Sequence, residues 1–144
     1  MSEMIHVRQS GDFSGLFTFV EQVDGEMLER LDYDPDGALY KMYNPMTSGI
    51  YSIEKKTREW ENSQDLIDLV AGCQLTGAAL EAFLFDNLDI PAVISYLAAT
   101  CLMNDNDHIS KNYYAYRDSD GDQEWMLIPW DKDLTLGRNY TRTG

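Results

Sequence analysis

Hydrophobic and polar positions divide the chain into an extended, β-branched and aromatic beginning, a helical middle and a late hairpin. Residues Glu3 to Gln9 and Leu16 to Gln22 carry β-branched and aromatic side chains on either side of Ser10-Gly11-Asp12-Phe13-Ser14-Gly15, a turn signal, and so predict a β-hairpin. Asp24 stands as an N-cap before Gly25 to Leu31, where Met27, Leu28 and Leu31 share one helical face. The run Asp32-Tyr33-Asp34-Pro35-Asp36-Gly37 ends that helix, and Ala38 to Tyr43, with Lys41, predicts a third strand.

The rhythm then changes. Asn44 to Asn62 is polar and irregular, holds Pro45, Gly49 and a charged run from Glu54 to Glu59, and predicts a solvated connector. Ser63 caps a helix whose apolar side is Leu66, Ile67, Leu69 and Val70, and Gly77 to Leu84 continues the helical pattern after a break. Asp89 caps the strongest helix, with Pro91 early and Val93, Ile94, Tyr96, Leu97, Cys101 and Leu102 as buried positions, ending at Asn104. A polar loop, Asp105 to Ser110, leads to a second hairpin: Asn112 to Arg117, a turn at Asp118 to Asp122, and Glu124 to Pro129. The expected fold class is α+β, divided into a β-rich part over 1–60 and a helical part with the late hairpin over 61–144.

Composition narrows the functions. With 144 residues and 44% hydrophobic content, the chain has the size and core of one domain. Its formal charge of −14 sets up a field that repels nucleic acid and anionic lipid and favours metal cations or basic partners. No run of about 18 apolar residues occurs, and Met1 to His6 lacks a signal-peptide pattern, so neither a membrane span nor a leader is expected. Cys73 and Cys101 sit in apolar helical pattern and read as small buried hydrophobes.

The candidate chemistry lies at the ends of the late hairpin. Phosphoryl transfer from a nucleotide needs a carboxylate to orient the acceptor hydroxyl and oxygen ligands to hold a divalent cation. Asp107-His108-Ile109-Ser110-Lys111-Asn112 supplies an Asp followed after four residues by an Asn, and Ile128-Pro129-Trp130-Asp131 places a further carboxylate beyond the hairpin. Pairing Tyr113–Arg117 with Glu124–Ile128 brings Asn112 and Asp131 to the same end, where they can share one ion. Spacing alone arises by chance in an acid-rich chain.

The wider run is more specific. Asn106-Asp107-His108, Lys111-Asn112-Tyr113-Tyr114-Ala115-Tyr116 and Trp125-Met126-Leu127-Ile128-Pro129-Trp130-Asp131-Lys132-Asp133-Leu134-Thr135-Leu136-Gly137 resemble the signature of the CotH kinase family. Gly15 to Asp24 and Gly37 to Lys41 resemble that family's amino-terminal hairpin, helix and following strand in the same order. The resemblance implies part of a divergent protein-kinase-like fold that transfers phosphate from ATP to protein serine with Mg or Mn, with family members extending beyond both ends of this stretch. It also points to spore or cell surfaces. Under it, Asp107 is the acceptor-orienting base, Lys111 lies near the transferred phosphate, and Asn112 and Asp131 hold the metal with help from Asp133. No G-x-G-x-x-G is present, as in the family, so side chains such as Lys41 and Glu21 are candidates to grip the nucleotide. The partners implied are a nucleotide and a protein substrate, a basic one by the acidic field. The competing class is a noncatalytic binding or coat-assembly module on the same fold.

Plainer readings stand beside these. Asp107 serves equally as part of a solvated acidic loop, and Asp131, expected partly buried beside Trp130, as the partner of Lys132 or Arg138. His108 is expected as a loop hydrogen-bonder rather than a zinc ligand. Asp32-x-Asp34-x-Asp36 and Asp118-x-Asp120-x-Asp122 resemble half calcium loops, but Tyr43 and Pro129 occupy the closing positions, so both are read as turns. Tyr113, Tyr114, Tyr116, Trp125 and Trp130 are read as sheet packing.

Overall fold

The computed structural model describes residues 2–46, 52–107 and 111–138, so His108 and Ser110 lie outside the described residues. The chain divides into two compact units, one ending at Pro35 and the other beginning at Asp36. The boundary expected at residue 60 falls inside the second unit.

In the first unit, β1 (Ser2–Gln9) and β2 (Asp12–Val20) pair antiparallel from Ser2↔Val20 to Gln9↔Asp12. The turn is shorter than the expected six residues. Ser10 and Gly11 alone make it, with φ of 54° and 93°, the left-handed pair that a tight hairpin's twist requires. The extra residue is absorbed further along: Val7 faces Gly15 and Arg8 faces Phe13, which leaves Ser14 as a bulge. Helix α1 (Gly25–Arg30) starts as expected, the Asp24 carboxylate accepting the Met27 N–H at 3.1 Å. Met27 and Leu28 are buried, whereas Leu31 is exposed as the residue that closes the helix.

The second unit is built on a four-stranded antiparallel sheet in the order β4-β3-β5-β6: β3 (Ala38–Met42), β4 (Ile53–Lys55), β5 (Tyr113–Arg117) and β6 (Trp125–Pro129). β4 lies within the stretch expected to be a bare connector. Three residues are too few to show a period, and the strand is recognisable only by its pairing, Met42↔Ile53 to Tyr40↔Lys55. β3 is hydrogen-bonded directly to β5, so the sheet takes strands from both sides of residue 60.

One face of this sheet carries the core. Ala38, Tyr40, Met42, Tyr113, Ala115 and Trp125 pack with Leu66 and Leu69 of α2 (Gln64–Gly72). Phe83 of α3 (Gly77–Asn87) and Tyr96 of α4 (Ile90–Leu102) close its margin. A Cβ at Gly72 would overlap the Phe83 ring, so the approach of α3 to α2 depends on that glycine. Tyr40 donates its hydroxyl to Asp65 at 2.6 Å, and burial together with that bond pushes the phenol well above its usual pKa.

Three helical expectations need correction. Ser63 makes no side-chain cap; the Asn62 side chain accepts the Gln64 N–H at 3.0 Å instead. Ile67 is exposed, because Leu66, Leu69 and Val70 already fill the buried side. On α4, Asp89 caps as expected by accepting the Ala92 N–H at 2.9 Å, and its own N–H donates to the Trp125 carbonyl at 3.0 Å. That tether turns the half-buried Val93 and Tyr96 and the buried Thr100 inward, and leaves Ile94, Leu97, Cys101 and Leu102 exposed rather than buried. A helix apolar all round has no periodicity to say which side faces the sheet.

Candidate functional site

The site is assembled where α4 ends and the β5–β6 hairpin begins. After Met103, Asn104 takes a left-handed φ of 47°, its N–H bonding Cys101 O and the Asp105 N–H bonding Thr100 O, both at 3.1 Å. These two bonds form a Schellman closure, which satisfies the last carbonyls of the helix and aims the following chain back toward the sheet. Asp105, expected to open a polar loop, is thereby buried, at 5% exposure. Its Oδ1 accepts the Asp107 N–H at 2.9 Å, which fixes the backbone of the predicted catalytic residue.

The hairpin root closes on the same place. Tyr113 pairs with Pro129, so β6 runs one residue later than the expected Glu124–Ile128 pairing. The shift comes from the tip, where Gln123 adopts a φ of 64° and bonds back to Asp118 O at 2.9 Å, lengthening the turn to include Gln123 and Glu124. The Trp130 N–H then donates to Asn112 O at 3.1 Å, which holds the two strand roots together. Asn112 and Asp131, on either side of this closure, both have left-handed φ, 67° and 51°. Short polar side chains tolerate that conformation, whereas β-branched residues do not.

Asn112 is buried, and its Nδ2 donates to Asp107 Oδ2 at 2.6 Å and to the Asp131 carbonyl at 3.4 Å. One amide therefore touches both acidic segments, and Oδ1 remains as its acceptor. The Lys111 ammonium stands 3.5 Å from Asp107 Oδ2, half-exposed, against a carboxylate whose side chain is mostly buried. Asp131 is exposed rather than partly buried, and Asp133 is exposed as well. Thus Asp107, Lys111, Asn112 and the Asp131 backbone are brought together as one cluster.

The stretch after Asp131 is stitched to the loop after α4. Asn106 donates its N–H to Leu134 O at 2.9 Å and its side-chain amide to Arg138 O at 2.8 Å, while the Leu136 N–H bonds Met103 O at 2.7 Å. Lys132, expected as a partner for Asp131, instead pairs with Asp105 Oδ2 at 2.9 Å, with the Asp105 side chain fully buried. The same ammonium lies 5.6 Å from the centre of the Tyr96 ring. Burial, reinforced by the Asp105 charge, pushes the Tyr96 phenol up to about 12.

The two nucleotide-gripping candidates have different settings. On the sheet face opposite the core, Lys41 lies across from Tyr114, and its ammonium is 5.2, 6.0 and 5.5 Å from the ring centres of Tyr43, Tyr114 and Trp130. An aromatic cage holds a cation by ring quadrupoles without neutralising its charge. Glu21 belongs to the first unit, where Arg30 donates to both of its oxygens at 2.7 and 2.6 Å and holds the carboxyl down at about 2.

The oxygen donors near the hairpin root are of the chemical type a divalent cation takes. Among the described residues no three His, Cys, Asp or Glu side chains stand together as a metal cage. Magnesium bound beside a nucleotide needs none, since one or two protein oxygens suffice when phosphates and water complete the octahedron. Asn112 Oδ1 and the Asp131 carboxylate are oxygens of that type. Sequence reasoning missed Asp105, Asn106 and Lys132. Lys132, following Asp131, is a charge complement to Asp105, but the 26 residues between them hide the pair.

Comparison with known proteins identifies a family. The family model described as CotH kinase protein matches residues 3–143. No curated protein matches the chain.

Proposed function

Because the chain belongs to the CotH kinase protein family, we propose that it is an atypical protein kinase that transfers phosphate from ATP to a protein serine or threonine. The observation that carries this reading is the Asn112 amide, which bonds the Asp107 carboxylate at 2.6 Å and the Asp131 carbonyl at 3.4 Å across the hairpin root. Phosphoryl transfer needs such a junction between the acceptor-orienting group and the metal ligands.

In this reading Asp107 receives the proton of the acceptor hydroxyl as the hydroxyl oxygen bonds to the γ-phosphorus and the bond from that phosphorus to the β,γ-bridging oxygen breaks, with ADP leaving. Asn112 Oδ1 and the Asp131 carboxylate would hold Mg or Mn, with Asp133 assisting. The metal, when bound, neutralises the phosphate charge. Lys111, held beside Asp107, is placed for the charge that develops on the transferred group, and Lys41 offers a positive charge to the nucleotide. Glu21 acts through Arg30 to order its own segment. A basic acceptor sequence suits a chain with a charge of −14.

The test is transfer from radiolabelled ATP to a Lys/Arg-rich, serine-containing protein with MnCl2 or MgCl2. Asp107→Ala is expected to reduce incorporation by about 100- to 10,000-fold, the range for loss of a general base, with nucleotide binding retained. Equal incorporation by that variant would remove Asp107 from the chemistry. No metal-dependent incorporation by the parent chain, with a cooperative melt, would favour the noncatalytic reading.

A further inference from the structure

We propose that the buried Asp105–Lys132 ion pair is a positioning device that sets the separation of Asp107 from Asp131; this rests on the phosphotransfer reading above. Asp105 reaches both halves of the site at once. Its Oδ1 takes the Asp107 N–H at 2.9 Å, and its Oδ2 meets the ammonium of Lys132, the residue next to Asp131, at 2.9 Å. Its own N–H is anchored to Thr100 O at the end of α4.

Such a pair is a poor choice for stability alone. Taking a carboxylate and an ammonium out of water costs several kcal/mol per ion, and a well-packed apolar pair of similar volume often serves stability as well or better. Directionality is what the ions add. A carboxylate with two oxygens can hold a backbone N–H on one side and a cation on the other, and so couples two chain segments that are separate in sequence. Lys132 is confined in turn: its side chain is 15% exposed, and its ammonium lies against the Tyr96 ring. Asp131, in its left-handed conformation, is thus held by a neighbour that cannot swing into solvent. Lys132 does not neutralise Asp131, because its charge is committed to Asp105. The exposed Asp131 carboxylate is thus without Lys132 as its counter-ion.

The test is a double-variant cycle on Asp105→Asn and Lys132→Met, titrating Mn–ATP by calorimetry well below each variant's melting temperature and measuring kcat and the KM of the acceptor. Asp105→Asn retains an acceptor for the Asp107 N–H but drops the charge. Each single change is expected to weaken Mn–ATP binding or lower kcat by about 10- to 100-fold, the usual cost of losing a group that orients metal ligands. The acceptor KM should not move. The double variant should be no worse than the poorer single, because both remove one link. Unchanged Mn–ATP affinity and kcat in both variants, with lowered melting temperatures alone, would make the pair purely structural and overturn the proposal. If the parent chain itself takes up no Mn–ATP, the phosphotransfer reading fails first and the positioning role falls with it.

Discussion

The two ends of the β5–β6 hairpin are both rich in carboxylates, yet they use them in opposite ways. At the tip, Asp118 Oδ1 accepts the Gly121 N–H at 2.8 Å, Asp122 Oδ1 accepts the Glu124 N–H at 2.9 Å, and Asp120 pairs with Arg58 at 3.2 Å. Asp118 and Asp122 thus build the turn through local bonds, and Asp120 meets Arg58 on the surface. At the root, Asp107 is held by the side chain of Asn112, and Asp105 ties two distant segments. Acid content is therefore a poor guide to a site. What distinguishes the root is burial: the Asp105–Lys132 pair is shielded from solvent and Asn112 is buried, whereas Asp120 at the tip is exposed.

Changes at the two ends should separate accordingly. The largest effect is expected for Asn112→Ala, which removes a proposed metal ligand and the junction between Asp107 and Asp131; the metal concentration giving half-maximal rate should rise about 10- to 100-fold. Asp118→Asn, Asp120→Asn and Asp122→Asn together should leave that concentration unchanged, and an equal rise in both proteins would erase the distinction. Next in size is a core change remote from either end. Leu66→Ala should lower unfolding free energy by about 2–5 kcal/mol in urea titration, with Mn–ATP affinity preserved below the transition.

An alkaline titration sharpens the contrast from the root side. Burial raises the Tyr96 and Tyr113 phenols to about 12, and Tyr40 is raised further by its bond to Asp65. A folded-state pKa above the unfolded value contributes stability that is complete below the unfolded pKa, near 10, and is lost as pH rises toward 12. Melting temperature should be insensitive to these groups below about pH 9 and fall steeply above about pH 10. Tyr96→Phe should blunt the fall; an identical profile would show that this phenol is not buried. The smallest effect is expected for Asp118→Ala, which removes one turn hydrogen bond and should cost about 1 kcal/mol by denaturant titration, with catalysis intact.

Much of this arrangement is legible in the sequence where a local signal exists. Asp24 and Asp89 announce their helices because a cap acts within three residues, and the order Asp107, Asn112, Asp131 is readable because one hairpin separates its members. The mixed α+β class follows from the same local signals. What escapes is decided by partners far along the chain. β4 is defined by pairing with β3, the Asp105–Lys132 pair spans two loops, and the exposed side of α4 is chosen by the Asp89 N–H to Trp125 O bond. The Ser10-Gly11 turn was hidden by a wider polar stretch, since Ser14 could be assigned to a turn or a bulge until its cross-strand neighbours were known.

The most direct test of the central claim, that the hairpin root holds a metal–nucleotide pair, is the melting temperature of this chain with and without ATP plus Mg or Mn, repeated on Asp131→Ala. At ligand a hundredfold above its dissociation constant the account predicts a metal-dependent rise of about 5–10 °C in the parent chain, absent from the variant. A rise of the same size in Asp131→Ala, or none in a cooperatively melting parent chain, would contradict it.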